Sequence, residues 1–214
     1  MLRVNDIRLS YGRETVLRGI RFEASPGEVI GLLGANGTGK SSLIEILAGV
    51  LIPDSGTVSL YDVDIRDRRH YLSMVGFVPQ SIALTMHLSG YDNLRQWGGL
   101  KGLSGNDLQQ AVTEAGVLCG LESFWHKPVY KQSGGMQRRI NLASGLIGLP
   151  RLLLLDEPTA GLDRESRERI LDAIQAIKAK GVMVVMTNHY EPEQDRIADR
   201  KFILDEGILC EPHA

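Results

Sequence analysis

The sequence predicts an α/β protein with an antiparallel β layer near its start and a helical subdomain inserted into its core. Three observations carry this prediction. A buried strand, Val29–Leu33, runs through the glycine loop Gly34–Ser41 into the apolar helix Ser42–Ala48. The strands around it are joined by turns, as antiparallel strands are. From about Ser89 to Leu149 no convincing strand occurs, although apolar runs of strand length lie on either side, at Val75–Val78 and Leu152–Leu155.

In chain order, Val4–Leu9 alternates as a strand and Tyr11–Gly12 breaks it. Thr15–Leu17 and Ile20–Ala24 read as strand again, closed by the turn Ser25–Pro26–Gly27. Gly49 caps the helix that follows the glycine loop. Pro53–Asp54–Ser55–Gly56 is a turn into the strand Thr57–Tyr61. Pro79 stops the strand Val75–Val78. Asn106–Val112 and Arg138–Ala143 have helical period, and Arg164–Lys180 is a helix with Ile170, Ile174 and Ile177 on one face. With the strand Val182–Thr187 it forms a parallel crossover. A short helix near Glu193–Ala198 and a hairpin around Asp205–Glu206–Gly207 close the chain. The expected division is one domain over 1–214, with a core from 1–80 and 151–214 and the helical insert over about 81–150.

Bulk properties narrow the function classes. The 214 residues carry 24 Lys and Arg against 26 Asp and Glu, a net charge of −2, which argues against a duplex nucleic-acid partner. No run of apolar residues is long enough to span a bilayer, and the first residues lack the apolar stretch of a signal peptide. The expected location is the cytoplasm, or a membrane surface reached through a partner. Cys119 and Cys210 lack metal-ligand spacing and read as inert core thiols.

Two stretches carry chemistry. Gly34–Ala35–Asn36–Gly37–Thr38–Gly39–Lys40–Ser41 follows G-x-x-x-x-G-K-[ST] in the strand–loop–helix context that gives this pattern meaning. Its glycines let backbone N–H groups surround an anion at a helix N-terminus. Lys40 adds a cation for the outer phosphates, and the Ser41 hydroxyl can ligate Mg²⁺. The core is therefore that of a P-loop nucleotide hydrolase. Second, Leu152–Leu155 delivers Asp156 and Glu157 to the end of a strand, where open α/β sheets bind ligands. Asp156 can hold Mg²⁺ beside Ser41, and Glu157 can orient or deprotonate the water that attacks a γ-phosphate. A third stretch, Ser133–Gly134–Gly135, opens a helix as a further candidate anion site.

Gly34–Ser41, Ser133–Gly134–Gly135, Leu155–Asp156–Glu157–Pro158, Ala160–Gly161–Leu162–Asp163 and His189 stand in the order and spacing of an ABC-transporter ATP-binding subunit. The resemblance covers essentially the whole chain. It implies ATP and Mg²⁺ as cofactors, with Asn36 and Ser42 among the nucleotide-binding residues. Tyr11 resembles the aromatic that stacks on adenine. Gln80 resembles the glutamine that reaches the metal and the water, Asp163 the aspartate that couples two sites, and His189 the switch histidine at the γ-phosphate. Gln132 stands where the family usually has leucine, Met136 where many members have glutamine, and Ser42 replaces the commoner threonine. None of these departures removes a charge or a phosphate donor. Gln132 bears on how the signature region packs.

The resemblance further implies an ATP-hydrolysing subunit that powers transport, in the direction of export, through a separate membrane permease. Two copies, or this chain and a paralogous ATPase subunit, would sandwich ATP, each site taking Ser133–Gly135 from the other chain. The chain would then sit peripherally on the cytoplasmic face of the cell membrane. The alternative is a soluble ATPase of the same type acting in assembly, repair or translation. What co-purifies, a permease or a soluble scaffold, separates the two.

Overall fold

In the computed structural model, which describes residues 1–188 and 191–211, two sheets and a set of helices share two hydrophobic cores. The first sheet is antiparallel. It contains β1 (Leu2–Tyr11), β2 (Glu14–Ala24), β4 (Ser55–Leu60) and β5 (Val63–Asp64), in the order β2-β1-β4-β5. The sequence reading of an antiparallel layer is met here. β2 runs unbroken through Arg18–Gly19, opposite a register shift in β1 around Asp6, where φ is 53°.

The second sheet orders its strands β10-β9-β3-β8-β7-β6. They are β3 (Val29–Leu33), β6 (Val75–Val78), β7 (Leu152–Leu155), β8 (Met183–Thr187), β9 (Arg200–Asp205) and β10 (Ile208–Cys210). All neighbours are parallel except the hairpin β9–β10. Side chains alternate between its two faces. Leu152, Leu154, Met183 and Val185 join the core shared with the antiparallel sheet and α1 (Lys40–Leu47). Leu153, Leu155, Val184 and Met186 join the core under the helices. Burial on both faces is why β3, β7 and β8 read as continuous apolar runs.

α6 (Arg164–Ala179) crosses from β7 to β8 and buries Ile170, Ile174 and Ile177. Between β6 and β7 the chain forms α3 (Gly90–Leu100), α4 (Gly105–Leu118) and α5 (Gly134–Leu146). α4 meets this group through a glycine. A Cβ on Gly116 would come within 2.1 Å of the Trp125 ring. α7 (Glu191–Ile197) leads from β8 towards β9.

A short helix, α2 (Arg68–Ser73), follows β5 and keeps its basic residues in solvent. Asp67 caps it, and Arg68 donates to the Gly49 carbonyl at 2.9 Å. Cys119 is a core thiol pushed up to about 12 by burial, but Cys210 is exposed, because β10 is an edge strand.

Candidate active site

The parallel strands end on one side of the sheet, and each end delivers part of one site. β3 leads into the glycine loop. Gly34 has a φ of 143°, and a Cβ there would lie 2.4 Å from the Leu204 carbonyl oxygen of β9. Gly39, at φ 100°, precedes the first turn of α1, and its Cβ would lie 2.7 Å from Val16 Cγ1. Both positions need positive φ and have no room for a side chain, so the loop is pinned between the two sheets. Lys40 folds back over this loop, and its Nζ donates to the carbonyls of Gly34 at 2.8 Å and Ala35 at 2.7 Å. Burial pushes the Lys40 pKa down, while the nearby Glu157 and Asp156 carboxylates pull it up.

β7 ends at the two acids. Ser41 Oγ donates to Asp156 Oδ1 at 3.2 Å, so the loop hydroxyl and the buried carboxylate point at one another. Glu157 follows with a φ of 48°, a left-handed turn that re-aims its side chain. Gln80, just past β6, donates from Nε2 to Glu157 Oε2 at 2.8 Å. Thr187, at the end of β8, donates to Asp156 Oδ1 and accepts the Glu157 N–H.

A cleft of about 590 Å³ collects most of the residues singled out by sequence: Tyr11, Asn36, Gly37, Gly39, Lys40, Ser41, Ser42, Gln80 and Glu157. Tyr11 is half exposed at its mouth, its hydroxyl 3.4 Å from that of Ser42. Asp156 lies behind Ser41. Ser133, Gly134, Gly135 and Asp163 do not line this cleft. They sit together elsewhere. Ser133 caps α5 and Asp163 caps α6, and a Cβ on Gly135 would lie 2.2 Å from Ser166 Oγ. His189 lies outside the described residues. Gln132 is buried, and its Nε2 donates to the Lys127 carbonyl at 2.7 Å, tying down the turn that precedes α5.

Sequence reasoning passed over Thr187 and Arg138. In the sequence Thr187 carries no assigned role in the site. A hydroxyl ending an otherwise apolar run was the available signal.

The family profile described as ABC transporter matches residues 17–160. The chain belongs to the ABC transporter family. This cassette, the ATPase unit of that family, is 36% identical over 210 residues to the linearmycin resistance ATP-binding protein LnrL of Bacillus subtilis (strain 168), a match covering 98% of this chain and 68% of that protein. It is also 36% identical over 217 residues to Nod factor export ATP-binding protein I of Sinorhizobium fredii (strain NBRC 101917 / NGR234), covering 100% of this chain and 63% of that one. A third relative is the doxorubicin resistance ATP-binding protein DrrA of Mycobacterium tuberculosis (strain ATCC 25618 / H37Rv), 36% identical over 212 residues, with 96% and 63% covered. The cassette thus spans 63–68% of the length of these relatives. Among solved structures, the ATP binding subunit of an ABC transporter superposes with a TM-score of 0.86 at 26% identity, covering 98% of this chain and 88% of that one. A dimeric post-hydrolysis ATP-binding cassette bound to ADP and Pi shares the fold, with a TM-score of 0.86 at 24% identity and 98% and 96% covered.

Proposed function

We propose that this cassette hydrolyses ATP to drive export through a separate membrane permease, working as a pair of cassettes on the cytoplasmic face of the membrane. The observation that carries the ATPase chemistry is the convergence of Lys40, Ser41, Asp156, Gln80 and Glu157 beyond the ends of the parallel strands β3, β7 and β6. Phosphoryl transfer needs positioning and charge neutralisation more than covalent chemistry, and these groups supply both. The loop N–H groups and the α1 N-terminus hold the phosphates, Lys40 moves from its loop carbonyls to the outer phosphates, and Tyr11 stacks on the base. Glu157, held by Gln80, accepts the proton of the attacking water.

The site suits Mg²⁺. Ser41 Oγ and Asp156 Oδ1 are hard oxygen donors 3.2 Å apart, with Gln80 nearby, and Mg²⁺ takes one or two such protein groups beside phosphates and waters. Bound there, the ion would neutralise charge developing on the β- and γ-phosphates.

The position of Ser133–Gly135 supports a paired cassette. A serine-capped helix N-terminus with an open Gly134 suits a phosphate, yet it does not line its own chain's cleft. A second copy, or a paralogous subunit, would bring it to the γ-phosphate. Ser166, packed on Gly135, and Asp163, which accepts the Ser166 N–H, would then stand at the seam. Export is supported by the relatives named for Nod factor export and for drug resistance. No helix among the described residues is long and apolar enough to cross a membrane, which suits a separate permease. A 280 Å³ hollow lined by Phe77, Pro79, Ala83, Trp97 and Lys101 offers a seat for a short permease helix beside Gln80.

Glu157→Gln tests the reading. The amide cannot take a proton but leaves the cleft in shape, so phosphate release should stop while ATP binding persists. ATP should then shift the protein to a dimer on a sizing column. Normal turnover in this variant would remove Glu157 from the reaction.

A further inference from the structure

Gln80 is held at both ends. Its side-chain amide donates to Glu157 Oε2, and its backbone carbonyl accepts a hydrogen bond from Arg138 Nη1 at 2.5 Å. Arg138 belongs to α5, the helix that begins at the Ser133 cap. Its guanidinium is buried against the site. Burial lowers its pKa, and the Glu157 carboxylate opposes that shift.

One turn further along α5, the fully buried Asn141 grips the same loop. Its Oδ1 accepts the Ala83 N–H at 2.9 Å, and its Nδ2 donates to the Pro79 carbonyl at 3.4 Å. Pro79 ends β6, so the following backbone leaves the sheet ladder and its polar groups need other partners. Two side chains at i and i+3 on one helix face supply them.

The far end of α5 lies close on the sheet through a pair of glycines. A Cβ on Gly76 of β6 would meet the Gly145 carbonyl oxygen at 2.0 Å, and one on Gly145 would meet Val78 Cγ2 at 2.5 Å. α5 therefore rests on β6 at its C-terminal end, holds the Gln80 loop along its middle, and presents Ser133–Gly135 at its N-terminal end.

We infer that Arg138 is a positioning residue for hydrolysis, acting through Gln80. It fixes the Gln80 carbonyl, hence the reach of the Gln80 amide to Glu157, and so ties the attitude of the signature end of α5 to the alignment of the carboxylate in its own cleft. This inference rests on the proposed role of Glu157. Contact between Ser133–Gly135 and a second cassette's nucleotide would then be read within the first cassette along Arg138, Gln80 and Glu157. No covalent step is involved.

Arg138→Met removes the donor while keeping a long side chain, and Arg138→Lys restores a donor at similar reach. Misplacement of a catalytic group by about 1 Å costs on the order of 100-fold in rate. Arg138→Met in the full chain should therefore lower kcat roughly 10- to 100-fold, with KM for ATP within about twofold, because Arg138 does not line the nucleotide cleft. Arg138→Lys should recover part of that loss and serves as the second probe if the methionine variant fails to fold.

The decisive measurement is the cycle with Gln80→Ala. If Arg138 acts through Gln80, adding Arg138→Met, or Arg138→Lys if that is the variant that folds, to Gln80→Ala should change kcat little further. Multiplicative losses, or a drop in thermal midpoint that accounts for the lost turnover, would overturn the assignment. Glu157→Gln, run alongside, separates the two ideas. A turnover-competent Glu157→Gln sinks the parent reading, whereas an inactive Glu157→Gln with multiplicative Arg138 and Gln80 effects sinks only the positioning role.

Discussion

Thr187 donates its hydroxyl hydrogen to Asp156 Oδ1 at 2.7 Å and, with the same oxygen, accepts the Glu157 N–H at 2.9 Å. One side chain at the end of β8 thus fixes both acids at the end of β7. Thr187 and Asp156 are buried, which shields the bond between them from bulk water, and the left-handed turn at Glu157 is held from outside.

Thr187→Val keeps the shape and the strand propensity while removing the hydroxyl. It takes the acceptor from the part-buried Glu157 N–H and one of two donors from Asp156 Oδ1, which costs about 1–3 kcal/mol. The urea midpoint should fall with the slope unchanged, and ATP turnover should fall more than ATP binding. An unchanged midpoint would show that relaxation or water replaces the hydroxyl.

Lys40→Ala should abolish phosphate release and weaken ATP binding, because the loop loses its cation for the outer phosphates. Lys40 Nζ holds the carbonyls of Gly34 and Ala35. The variant should therefore also show faster amide exchange across the loop. Retained turnover would remove Lys40 from the phosphate-binding role.

Site sharing between chains predicts complementation. One inactive protein carries Lys40→Ala. The other carries Gly134→Asp, which sets a negative charge where phosphate should dock. Gly134 is the better target, since a side chain at Gly135 would first collide with Ser166 of its own chain, whereas a Cβ at Gly134 meets nothing within 4 Å. In the mixed dimer one site inherits both defects and the other neither, so mixing should restore ATP binding at the intact site. Restoration should fail if each site is complete within one chain.

Gly76→Ala tests the seat of α5. The new Cβ would press on the Gly145 backbone at 2.0 Å, where no flexible side chain can yield. Overpacking of this kind costs about 1–3 kcal/mol or more. The thermal midpoint should drop clearly, whereas Gly134→Ala, in open space, should leave it far less changed. Equal midpoints would mean that α5 shifts freely on β6.

What the sequence determined alone were the features written in local spacing and period. The strand–loop–helix around Gly34–Ser41 is legible because glycines, lysine and serine fall at fixed offsets between two apolar runs. Asp156 and Glu157 are legible because a run of four leucines between Pro150 and Pro158 reads as a short strand buried on both faces, which places the acids at its end. The Ser133 cap is legible because capping is a local hydrogen bond. Tertiary structure alone decided which ends meet. The order β3-β8-β7-β6 puts Thr187 beside Asp156, a contact 31 positions apart, and brings Gln80 to Glu157 across 77. It also brought Arg138 under Gln80 and turned Ser133–Gly135 away from the cleft of its own chain. No local signal encodes these contacts. A hydroxyl or a guanidinium has the same short-range preferences whichever distant partner it meets, and that partner is chosen by how the sheet and α5 pack.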